Sequence, residues 1–87
     1  MNERGILERV RNVVREHLQI VSPLGLDTDL FRDLELDSLK QLTLVVELEN
    51  EFRIRFDSAD EETVRTVGDL VGLIARRLAE GDEEADG

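Results

Sequence analysis

The sequence predicts an all-α fold, a small three- to four-helix bundle with a long loop between helices one and two. Three observations lead there. Apolar residues recur at three- and four-residue spacing in three separate segments. Pro23 and Gly25 break that pattern in the first connection. The single strand-like run, Arg53-Ile54-Arg55-Phe56, has no second run to pair with.

Helix one is expected from Glu3 to Leu18, where Ile6, Leu7, Val10, Val13, Val14 and Leu18 form an amphipathic stripe. Ile20 to Leu36 then reads as a packed loop that Leu26, Leu30, Phe31 and Leu34 anchor to the core. A loop of that length in so small a domain is expected only where it is functional. Asp37 offers an N-cap for helix two, whose stripe is read as Leu39, Leu42, Val45, Val46 and Phe52, with Leu44 and Leu48 widening its apolar side. Glu49 interrupts that stripe. Arg53 to Phe56 is read as extended loop and Ser58 to Val64 as a short helical turn. Thr66 and Asp69 have the spacing of a capping box before Leu70, Val71, Leu73, Ile74 and Leu78, the last long helix. Gly81 is expected to stop it, which divides the chain into a domain at 1–80 and a flexible acidic tail at 81–87.

With 87 residues the chain is near the size at which one core hides only about 60% of the unfolded surface. It has no Cys, so neither a disulfide framework nor a thiolate metal site can form. The start Met1-Asn2-Glu3-Arg4 lacks the apolar stretch of a secretory signal, and no apolar run approaches a membrane span. A cytoplasmic location and no membrane contact are expected. The net charge of -10 is concentrated in residues 27–62, which hold twelve acidic and four basic groups. Such a field repels nucleic acid and steers the chain toward basic protein surfaces.

Catalysis by the chain itself is not expected. His17 is the sole histidine and is read as a surface residue, and no nucleophile elbow, phosphate loop or dinucleotide fingerprint occurs. Asp27-Thr28-Asp29 opens like a calcium loop, but Arg32 stands where Gly is needed and Ser38 where Glu is needed, so no metal is expected. Gly68 and Gly72 are attributed to close helix packing.

Asp33-Leu34-Glu35-Leu36-Asp37-Ser38-Leu39, followed by an apolar helix ending Leu48-Glu49-Asn50-Glu51-Phe52, resembles the acyl carrier protein family. The likeness also takes in the first amphipathic helix, the Asp-Leu pairs of the long loop and the Thr66-Val67-x-Asp69-Leu70 opening of the final helix. It implies that Ser38 receives 4′-phosphopantetheine from coenzyme A through a phosphopantetheinyl transferase. It also implies a monomer serving acyl-transferring or ligase enzymes. Asp37, Leu39, Lys40, Thr43, Val46, Glu47 and Glu51 are the residues through which partners would read helix two, with Lys40, Thr43, Glu47 and Glu51 expected along its outward face. A serine at a helix start suits the role, because unsatisfied N–H groups and the positive end of the dipole tolerate a phosphodiester. Activation would come from the transferase, which agrees with the absence of a nearby base.

Two departures stand out. Glu35 occupies a place where the family commonly has Gly, and Lys40 and Thr43 occupy outer positions that are usually acidic. They point to a specialised fatty acid or polyketide-type pathway, or to an aminoacyl carrier loaded by an adenylating ligase. A non-carrier acidic helical interaction module is the competing reading, and modification at Ser38 separates them.

Overall fold

The computed structural model describes residues 2–20 and 24–86, with side chains described as far as residue 80. Four helices follow in order: α1 (Glu3–His17), α2 (Ser38–Phe52), α3 (Ser58–Thr63) and α4 (Val67–Asp86). Among the described residues there is no strand, only an isolated antiparallel bridge between Asp29 and Thr66. None of the described helices is long and apolar enough to cross a membrane.

Each of the first three helices starts on a side-chain cap. Asn2 Oδ1 accepts from the Gly5 N–H at 2.8 Å, and Asp37 Oδ1 from the Lys40 N–H at 2.8 Å. At α3, Asp57 and Asp60 form a reciprocal capping box. The start of α4 is closed more completely. Thr66 Oγ1 accepts from the Asp69 N–H and Asp69 Oδ2 from the Thr66 N–H, both at 3.1 Å. The Val67 and Gly68 N–H groups donate to the loop carbonyls of Thr28 at 2.9 Å and Leu26 at 2.8 Å. All the unpaired donors that a helix start leaves are thereby satisfied.

Those bonds explain how a loop of this length stays packed. At its far end the Leu30 N–H donates to Arg65 O at 2.9 Å, and near its beginning the Arg11 guanidinium donates to Leu24 O. Leu24, Leu30, Leu34 and Leu36 are buried, whereas Leu26 and Phe31, expected as anchors, are 46% and 43% exposed. Leu26 is held by its backbone instead, so its side chain has no need to enter the core. The bonding also reassigns the two glycines. A Cβ on Gly68 would stand 2.9 Å from Leu26 O, so its smallness serves loop docking and not helix packing, while Gly72 has open space around it. Gly68→Ala is expected to destabilise by about 1–3 kcal/mol through the backbone clash, and Gly72→Ala to stabilise by about 0.5–1 kcal/mol. Urea midpoints of the two variants should move in opposite directions.

α1 packs against both α2 and α4. Ile6, Val10, Val13 and Val14 of α1 meet Leu44, Leu48 and Phe52 of α2 and Val67, Leu70, Val71 and Ile74 of α4 in one core. The buried stripe of α2 is therefore Leu44, Leu48 and Phe52, not the stripe expected from the sequence: Leu39, Leu42 and Val46 are 71%, 60% and 42% exposed. Apolar residues occupy most sides of this helix, so spacing alone cannot say which side faces inward. Polar contacts with α1 help to set the rotation. Glu51 lies 3.0 Å from Arg9 and Glu47 3.4 Å from His17, and Arg9 also stacks over the Phe52 ring.

Glu49 has a structural task at the end of α2. Its Oε2 accepts from the Phe56 N–H at 2.9 Å and draws the extended segment back along the helix. The other correction concerns Gly81, since α4 runs past it to Asp86. A glycine inside a helix costs about 1 kcal/mol against Ala but does not oblige it to end, and no proline follows.

Candidate functional site

Ser38 is the first residue of α2 and is exposed. The chain approaches it through Leu34, Glu35 and Leu36, of which the two leucines are buried and Glu35 is not. Glu35 has φ 52°, the left-handed region, and this lets the backbone turn between the two anchors. The position where the resemblance led one to expect Gly is thus one that favours Gly, and here it holds a side chain under strain. Glu35→Gly is expected to raise stability by about 0.5–1 kcal/mol, the left-handed cost partly offset by greater freedom of the unfolded chain. A urea titration reads it. One turn into the helix, Gln41 Nε2 donates to Leu36 O at 3.2 Å and fixes the approach from the other side.

The start of α2 is less closed than that of α4. Asp37 takes the Lys40 N–H with its side chain and the Gln41 N–H with its carbonyl, while the Ser38 and Leu39 N–H groups have no acceptor within the helix. No acidic residue lies in the first turn. An anion on the serine hydroxyl would meet two amide donors and the positive helix end, with the neighbouring Asp37 carboxylate engaged by the Lys40 N–H. Ser58 supplies a control inside the same chain. It too follows an aspartate cap, but α3 has only six residues and carries Asp60 and Glu61 in its first turn. The two serines share a local motif and differ in field.

Two of the aspartates that close turns and helix starts, Asp29 and Asp69, are held as carboxylates by backbone donors. The Arg32 backbone N–H above all keeps the Asp29 carboxyl below its ordinary range, and the Thr66 N–H does the same for Asp69. Asp29 Oδ1 accepts from the Phe31 and Arg32 N–H groups, so this carboxylate is engaged in its own turn. No cluster of metal-ligating side chains occurs among the described residues.

The residues expected to meet partners separate into two groups. Leu39, Lys40 and Val46 are exposed, and together with Leu42 three apolar side chains form a row along α2 that begins beside Ser38. Thr43 is half-buried, and Glu47 and Glu51 lean on α1 through His17 and Arg9. The row 40, 43, 47 and 51 consequently borders α1 at its far end and does not form the outward face of the helix. A half-open cavity of about 70 Å³ lies beneath the site, to which Leu36, Gln41, Leu44, Leu48, Phe56 and Val64 contribute. Gln41, three residues after Ser38 on the same side of the helix, is a sign of it in the sequence.

Comparisons with known proteins agree with this geometry. A family model described as the phosphopantetheine attachment site matches residues 8–74. The chain is 36% identical over 74 residues to an acyl carrier protein of Thermotoga maritima, covering 84% of this chain and 91% of the other. It is 35% identical over 83 residues to acyl carrier protein 2 of Ralstonia nicotianae, covering 91% and 99%. A solved structure from Mycobacterium tuberculosis, assigned as an acyl carrier protein, superposes with a TM-score of 0.75 at 31% identity, covering 80% of this chain and 95% of that one. Members of this family carry covalent 4′-phosphopantetheine, are carriers and not enzymes, and work with phosphopantetheinyl transferases and acyl-handling enzymes. Four helices with a long docked loop, an open helix start bearing an exposed serine, and these relatives together place the chain in the acyl carrier protein family.

Proposed function

We propose that the chain carries acyl groups on a 4′-phosphopantetheine arm attached to Ser38, in a specialised fatty acid or polyketide-type pathway. The observation that carries the site is the contrast at the two serines, since Ser38 alone begins a long helix with no acidic residue in its first turn. The residues present fit the arm's phosphodiester: the Ser38 hydroxyl would bear it, and the first N–H groups of α2 would face its charge. When bound, the arm supplies a thiol that holds cargo as a thioester and keeps it at high effective concentration near each enzyme. The apolar cavity between α2 and α4 offers the cargo shelter from water.

Partners dock on the row Leu39, Leu42 and Val46, with Asp37 and Lys40 beside the arm and Thr43, Glu47 and Glu51 as the polar border toward α1. Exposed leucines flanked by Lys40, where an acidic residue is usual, favour enzymes that read an apolar surface, which supports the specialised pathway. Three apolar side chains make too small a patch for a stable dimer, so the chain works as a monomer. The absence of Cys fits the cytoplasm. The carrier domain occupies residues 1–80, since among the residues whose side chains are described the last buried apolar one is Ile74 and Leu78 still packs against the core.

Incubation with coenzyme A and a broad-specificity transferase should add one phosphopantetheine by intact mass. Ser38→Ala should block the gain while circular dichroism stays helical, because an exposed side chain at a helix start contributes little to the core. No mass gain with any of several transferases would contradict the proposal.

A further inference from the structure

The cavity beneath the site has walls of unequal strength. Leu44 and Leu48 belong to α2 and Leu70 to α4, and all three are buried in the core. Leu30, Phe31 and Leu36 of the long loop form a second side, and Phe56, Glu61 and Val64, on α3 and its two flanks, form a third. α3 has six residues, none of them buried. Its capping box satisfies its own start and fastens it to nothing outside.

One side chain of the bundle reaches across to it. Arg77, midway along α4, donates to the Asp60 carboxylate and lies 3.6 Å from Asp57, so it grips both members of the capping box. Glu80, one turn along α4 and 3.4 Å away, orients the guanidinium from behind. This is not an ordinary surface pair, since the side chains of Arg77 and Asp60 are only 29% and 17% exposed. The Asp57 N–H above all, with the Arg77 guanidinium, also holds the Asp60 carboxyl below its ordinary range, so the grip is charged at neutral pH.

Resting on the carrier function proposed above, we infer that Arg77 latches α3 across the cavity and sets how well an acyl group held there is sheltered. The size of the cavity gives the latch its consequence. A volume of about 70 Å³ holds several waters at on the order of 10–15 Å³ each, so a short acyl group fits in this half-open cavity beside α3. A longer one gains room if Phe56 and Val64 move outward, and the grip of Arg77 on Asp57 and Asp60 resists that movement.

The test compares Arg77→Gln with Arg76→Gln, which removes the same charge from an exposed position of α4. In the first arm, amide hydrogen exchange is followed on the apo proteins. Arg77→Gln should speed exchange in α3 by roughly fivefold or more, with α1 and α2 nearly unchanged and Arg76→Gln without effect. In the second arm, each protein is loaded with acetyl or octanoyl phosphopantetheine and cleaved with hydroxylamine. Arg77→Gln should speed cleavage of the octanoyl form several-fold and leave the acetyl form within about twofold. Equal α3 exchange in the two variants overturns the latch. A uniform rise across all helices also overturns it, because Arg77 would then merely stabilise the fold. Faster α3 exchange with unchanged octanoyl cleavage overturns its role in shelter. Failure of the wild-type chain to accept any arm overturns the carrier function, while the apo exchange still decides whether the latch exists.

Discussion

Leu48→Ala should lower stability by about 3–4 kcal/mol, as for a fully enclosed leucine whose neighbours collapse only partly, whereas Leu42→Ala should change it by less than about 0.5 kcal/mol. The two leucines lie on one helix and differ in burial, Leu48 being 1% exposed and Leu42 60%. Leu48 is surrounded by the core that α1, α2 and α4 share, so its removal leaves a void among side chains anchored on three helices. In a domain of this length a loss of 3–4 kcal/mol corresponds to a fall in Tm of roughly 15–25 °C. It is also a large share of the roughly 5–15 kcal/mol that small domains possess. Thermal melts of the two variants check the rotation of α2 directly. Equal losses would mean that the helix is turned the other way.

Leu42→Asp should slow arm attachment by a broad-specificity transferase by roughly 30- to 100-fold in kcat/KM, the effect of placing a charge in the desolvated centre of a small interface. Leu42 is the middle member of the exposed row that starts beside Ser38, and it makes no contribution to the core that the substitution could disturb. The melting temperature should therefore stay within a few degrees while the rate falls. Glu47→Lys should act differently. It removes the carboxylate that meets His17 at the border with α1, and it should slow attachment by no more than about threefold. Salt dependence separates the mechanisms, since docking through an apolar row loses little between low and moderate salt. A larger effect at Glu47 than at Leu42 would return docking to the acidic border.

Much of this molecule is legible in its sequence. α1 is read almost to the residue, because charged and polar residues with Gly5 fill every position outside one apolar stripe. The ends of α2 are equally plain, with Asp37 as its cap and Phe52 as its last buried residue. Its rotation is not, because Leu39, Leu42, Leu44, Val45, Val46 and Leu48 surround the helix and the buried side is chosen by contacts with α1. Docking of the long loop is hidden for another reason. It rests on backbone bonds from Val67 and Gly68, which leave only Gly68 as a side-chain sign. The grip of Arg77 on Asp60 joins residues 17 apart with no motif to announce it. Ser38 is legible because the capping aspartate and the serine are adjacent, yet Asp57-Ser58 shows the same pair and only the field around each separates them.

That contrast also supplies the most direct measurement. The chain has three serines, Ser22, Ser38 and Ser58, and a transferase presented with the whole protein chooses among them. Fragmentation of the modified chain by mass spectrometry assigns the added group to one residue. The account predicts that it lies on Ser38 alone, with Ser58 unmodified even after prolonged incubation and with full modification retained in Ser58→Ala. Modification of Ser58 in the wild-type chain, or a phosphopantetheine gain that survives Ser38→Ala, would contradict it.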